Sequence, residues 1–68
     1  MMTADLQNAL KLMEIAARAI EEAGHMPSGH LYAAMMDRMT FSAYEIMVRQ
    51  ILRTGLVRQQ GDELIWIG

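Results

Sequence analysis

The sequence contains no cysteine. Disulfide staples are therefore excluded, as are zinc sites built on thiolates, and the composition suits the reducing cytoplasm. Long apolar runs are also missing. Apolar stretches cover only a few residues, as at 64–67, whereas a spanning helix needs about 20. No signal-peptide core is present either, so a soluble, cytoplasmic chain with no membrane contact is expected. Basic residues are sparse: 6 Lys and Arg stand against 8 Asp and Glu, giving a formal charge of −2 and a pI near 5.5. That balance lies below the basic footprint typical of nucleic-acid binders. No glycine-rich phosphate loop occurs, no nucleophile is set beside a histidine and an acid, and no carboxylate pair has a reason to converge. The chain is expected not to be an enzyme and to carry no cofactor.

What remains is a chain of 68 residues that is 53% hydrophobic. It has room for one domain over 1–68, with only a marginal core, and it is too apolar to be disordered. Its charge is uneven. Residues 1–37 hold Lys11 and Arg18 against Asp5, Glu14, Glu21, Glu22 and Asp37, a balance of −3, and residues 38–68 hold Arg38, Arg49, Arg53 and Arg58 against Glu45, Asp62 and Glu63, a balance of +1. Any anion-binding surface belongs to the second half.

Hydrophobic periodicity divides the chain into five elements. Over 3–23, Leu6, Leu10, Met13, Ala17 and Ile20 recur at steps of three and four, which predicts an amphipathic helix facing inward on those residues. Thr3 or Asp5 caps its start, Gly24 ends it, and Pro27 forbids continuation, leaving 24–29 as a connector. Ser28 is placed to cap a short second helix over 29–38, with Leu31, Ala34 and Met35 on one side. A turn at 37–40 follows. Thr40 then caps a third helix over 41–54, and Met39 and Tyr44 stand at the two positions of a hydrophobic staple. In that helix Tyr44, Met47, Val48, Ile51 and Leu52 point inward, while Ser42, Glu45, Arg49 and Arg53 point outward. Gly55 stops it. Two short strands follow, "LVRQ" and "ELIWI", around a turn in which Gly61 supplies the positive φ of a tight hairpin. The fold class is α+β, mostly α: three helices followed by a C-terminal β-hairpin.

This order of elements resembles the winged helix-turn-helix superfamily. The resemblance covers nearly the whole chain and rests on "PSGHLYAAM", similar to the opening of a second helix in such domains, and on "YEIMVRQILRTGLV", similar to a recognition helix leading into a wing. It implies that the third helix enters the major groove of double-stranded DNA and that residues 58–62 form the wing. The implied DNA-binding residues are Ser42, Glu45, Arg49, Arg53 and Arg58. Arginine suits that role because it grips guanine bidentately or holds a phosphate, and serine reaches base edges or backbone oxygens. Asp62 and Glu63, by contrast, put acid at the wing tip. The function implied is a DNA-binding transcriptional regulator; a winged-helix module that binds another protein and never touches DNA is the alternative.

Other residues have plainer readings. His25 and His30 flank Pro27, but a metal site needs three or four ligands, so both are read as surface histidines and no metal is expected. The eight methionines are read mostly as gap-fillers of a small core, and Trp66 as the anchor of the hairpin. Arg49 and Arg53 also suit the negative end of the helix dipole. On a wheel advancing about 100° per residue, apolar residues cover roughly 220° of the first helix. That is more than one core needs, so Leu12, Ile15 and Ala19 are predicted to join two copies as a homodimer.

Overall fold

The structure is a computed structural model that describes the backbone of residues 2–68 and the side chains of residues 7–68. The first helix, α1, spans Met2–Ala23 and ends at Gly24, whose φ of 82° is the left-handed turn of the chain that a side chain would oppose. Its buried stripe is centred on Ala16 and Ile20, both fully buried, with Leu12, Met13 and Ala19 packed beside them. This differs from the predicted inward face. Leu10 is 56% exposed and Ala17 only half-buried, so the stripe lies about 80° further round the helix. Ala16 and Ile20, one turn apart, are the two α1 side chains with no exposed surface. The proposed caps Thr3 and Asp5 and the core position Leu6 have side chains outside the described residues.

A short strand, β1 (His25–Pro27), follows at once. It occupies the stretch expected to be only a connector. Helix α2 (Ser28–Met35) then buries Leu31 and Met35 and leaves Ala34 exposed. It is shorter than predicted, and Ser28 is not its cap: the N-cap position is Pro27, which has no side-chain acceptor. Pro27 is extended at φ −64° and ψ 142°, as an N-cap requires, so the proline itself sets the entry to the helix. Helix α3 (Phe41–Arg53) begins as expected, with the Thr40 hydroxyl accepting the Ala43 N–H at 3.1 Å. Tyr44, Met47, Val48 and Ile51 are buried, and Leu52 partly so. It closes through Thr54, whose hydroxyl donates to the Ile51 carbonyl at 2.6 Å, and Gly55 follows with φ 80°.

The hairpin is β2 (Val57–Gln60) and β3 (Glu63–Trp66), joined by Gly61 and Asp62. Gly61 stands first in this two-residue loop with φ 61°, the position where the tight hairpin turn needs a residue without a Cβ. The sheet is three-stranded and antiparallel in the order β1-β3-β2. Its register pairs Met26 and Gln59 with Leu64, and His25 and Arg58 with Ile65. Strand alternation therefore makes two faces. Met26, Val57, Gln59, Leu64 and Trp66 face the helices, and His25, Arg58, Gln60, Glu63 and Ile65 face away.

Three of the four aromatic side chains gather between α2 and α3. Tyr32 meets Phe41 edge-on with centroids 5.2 Å apart, and meets Tyr44 at 5.0 Å. Such pairs add about 0.5–1.5 kcal/mol beyond burial, and these fix the angle of the helix-turn-helix. Trp66, by contrast, is packed against the core but only partly buried. The hairpin's deepest anchor is Leu64, fully buried. Leu64→Ala should cost about 2–5 kcal/mol, enough to unfold much of so small a domain. Trp66→Ala should cost less than the about 3–5 kcal/mol of a fully buried aromatic. Urea unfolding of the two variants checks the order; a Trp66 variant weaker than the Leu64 variant would reverse it.

Candidate nucleic-acid interface

The outward side of α3 carries Ser42, Glu45, Ile46, Arg49 and Arg53, all exposed. They are outward because the buried positions Tyr44, Met47, Val48 and Ile51 fix the rotation of the helix. The four polar positions expected there are thus brought to one face, each about one turn from the next, with two guanidinium groups and one carboxylate among them. No ion pair holds either arginine among the described residues; the one salt bridge there is His25 Nδ1 to Glu63 Oε2, 3.4 Å apart on the outer face of the sheet.

Between α3 and the hairpin lies a cleft of about 250 Å³. Glu45, Arg49 and Leu52 line it from α3, Gln59 from β2, and Ser28 from the start of α2. Its floor is pinned by a pair of hydrogen bonds. The Tyr44 hydroxyl donates to the Ser28 carbonyl at 2.7 Å and in turn accepts from the Ser28 hydroxyl at 2.9 Å. Burial raises the Tyr44 phenol above its ordinary value of 10.0, with the Ser28 hydroxyl acting in the opposite sense. The side chain is a neutral structural strut between α2 and α3 across the whole physiological range.

Arg58 is not brought to this group. It is exposed, but it pairs with Ile65 on the sheet face turned away from the helices. Gln59 takes the place beside Arg49 instead. The alternation that begins at buried Val57 carries this signal, because the residue two positions on must share its face. Arg38, exposed in the turn before α3, is a further cation near the start of that helix. Asp62 is exposed at the hairpin tip, and Glu63 is half-buried beside it. Leu12 and Ala19 turn partly toward the core, whereas Ile15 is 42% exposed. Among the described residues, no group of three or more histidine and acidic side chains is placed to hold a metal ion, and no helix is long and apolar enough to cross a membrane.

The order α1-β1-α2-α3-β2-β3, with β1 paired to β3, is a winged-helix-like topology. Compared with protein-family models, curated proteins and solved structures, the chain matches none of them.

Tyr44→Phe should cost about 1–3 kcal/mol, because it strips the Ser28 carbonyl of a partly buried donor. The wild-type contribution linked to Tyr44 ionisation has a definite sign. A raised folded pKa favours the protonated form, so this stability is fully present below about pH 10 and is lost as pH rises through the folded value. Denaturant midpoints measured from neutral to alkaline pH should fall more steeply above that point in the wild type than in Tyr44→Phe; parallel curves would remove the strut from the account.

Proposed function

We propose that this chain is a small, non-enzymatic DNA-binding protein of the cytoplasm, a transcriptional regulator that acts as a homodimer and lays α3 in the major groove. The observation that carries this reading is the outward row Ser42, Glu45, Arg49 and Arg53 on a helix whose start is capped and whose rotation is fixed by its buried side. A rigid helix with exposed donors is what base-edge reading needs. Gln59, beside Arg49 in the cleft, gives the hairpin a share in the same surface, and Arg58 on its other face adds a cation for backbone contact at the hairpin's flank.

Homodimerisation draws support from the apolar side of α1, where Ile15 is 42% exposed and Leu12 only partly buried. Leu12 lines an open, mostly apolar groove of about 460 Å³, with Met39, Ala43 and Ile46 opposite. Pairing through Leu12, Ile15 and Ala19 covers that side of α1 and sets two copies of α3 for half-sites about 34 Å apart.

One observation favours a protein partner instead. Ile46 is 55% exposed in the middle of the outward face of α3, on a chain of net charge −2. A winged-helix interaction module that never touches DNA would use that side chain as an anchor.

A titration against random duplex DNA separates the readings. Under the DNA reading log K falls with log salt by about 0.9 per phosphate neutralised, and Arg49→Ala and Arg53→Ala each weaken binding while the fold persists. A base contact should cost about 1–3 kcal/mol with relaxed sequence preference, a phosphate contact should weaken all sequences alike. Absence of binding by micromolar protein at about 50 mM salt would favour the protein partner. Sedimentation addresses the dimer: the parent should run as a dimer at micromolar concentration and Ile15→Glu as a monomer, and a monomeric parent overturns that part alone.

A further inference from the structure

One member of the exposed row on α3 differs from the rest in kind. Ser42, Arg49 and Arg53 carry hydrogen-bond donors that suit a phosphate, whereas Glu45 is a carboxylate and is repelled by one. It stands on the hairpin side of the row and lines the cleft of about 250 Å³ together with Arg49 and Gln59. Arg49 lies about one turn further along α3. Glutamate four residues before arginine is the order that favours an ion pair on an isolated helix. The two nevertheless form none, and among the described residues Glu45 has no cationic partner. Both charged groups are available to a ligand.

We propose that Glu45 and Arg49 set the sequence preference of this chain, Glu45 selecting cytosine and Arg49 selecting a guanine one or two base pairs away; the assignment rests on the DNA reading above and adds to it the class of site recognised. A carboxylate in the major groove can bond only to a donor, and the donors there are the amino groups of cytosine and adenine. The adenine amino group stands between two acceptors, its own N7 and the thymine O4, which repel a carboxylate on both sides. The cytosine amino group has such a neighbour on one side only, the guanine O6. Cytosine is therefore the base that a glutamate on this face selects. Guanine presents O6 and N7 together, the match to the guanidinium fork of Arg49. Position supports the division of roles. The N-terminal part of such a helix meets base edges, and Glu45 and Arg49 both precede Arg53, which is the last residue of α3 and is left to a phosphate. Four residues of helix advance about 6 Å and one base pair about 3.4 Å, which gives the spacing for a helix lying along the groove.

The test is a selection from duplexes with a randomised centre, run with the parent, Glu45→Gln and Arg49→Ala, followed by titration of single-base variants of the enriched site. The parent should enrich a cytosine and a guanine no more than about two base pairs apart, and replacing that cytosine should weaken binding about five- to tenfold. Glu45→Gln should change the preferred base from cytosine to adenine, because a carboxamide bonds N6 and N7 together. Its affinity for random duplex should rise, since a charge repelled by phosphates is gone. Arg49→Ala should lose the guanine preference and keep the cytosine. An enriched site without the cytosine, or an unchanged preference in Glu45→Gln, would overturn the assignment. Loss of the guanine preference in Glu45→Gln would also overturn it, making Glu45 a positioning residue for Arg49. Where the parent binds duplex DNA without this preference, the DNA reading stands and the assignment alone falls; where it binds no duplex, both fall.

Discussion

Leu64 is fully buried on a strand that is hydrogen-bonded along both edges, and its two cross-strand partners come from separate parts of the sequence: Met26 follows the first helix and Gln59 follows the third. The strand thus closes the chain on itself. Further backbone bonds extend this closure at both ends, from the Ser28 N–H to the Asp62 carbonyl at 2.6 Å and from the Trp66 N–H to the Gly24 carbonyl at 2.8 Å. For a domain too small to bury a generous core, tying both ends of the α2–α3 segment to one strand limits the ways in which those two helices can arrange themselves. The exposed row on α3 is a consequence. Its direction is set by four buried side chains beneath it, and those are held in turn by the sheet and by the Tyr44–Ser28 strut.

The elements whose signals lie within about a dozen residues were legible in the sequence. Thr40 and Gly55 bracket α3, and apolar residues at helical spacing between them fix which side is wet, so Ser42, Glu45, Arg49 and Arg53 could be placed outward without coordinates. Gly61 marked the hairpin in the same way. Strand β1 could not be read so. Three residues are too few to show alternation, Gly24 and Pro27 both speak locally for a loop, and the partner strand begins at Glu63, far along the chain.

The finer features failed for reasons of the same kind. A wheel weighted by hydrophobicity prefers Leu10 to Ala16, whereas Ala16 is fully buried and Leu10 is 56% exposed, so hydrophobicity alone did not fix the face of α1. Trp66 was read as the anchor of the hairpin; it packs against the core but stays partly buried, and Leu64 lies deepest. Arg58 was placed in the wing by the winged-helix resemblance, and the two-residue period of a strand turns it to the other face from Gln59. Composition spoke accurately of what the chain holds and said little about where each group is directed.

The two edges of the sheet also differ in what they offer to another polypeptide. The β1 edge is three residues long and ends in Pro27, which has no amide hydrogen to give. An incoming extended segment would find no continuous ladder there, so sheet growth from that side is blocked. The β2 edge offers four residues, of which Arg58, Gln59 and Gln60 are exposed and polar. A charged and hydrophilic border of this kind resists sticking to copies of itself. A protein with exposed apolar side chains on its helices, such as Ile15 and Ile46, therefore keeps its strands guarded against fibrous self-association.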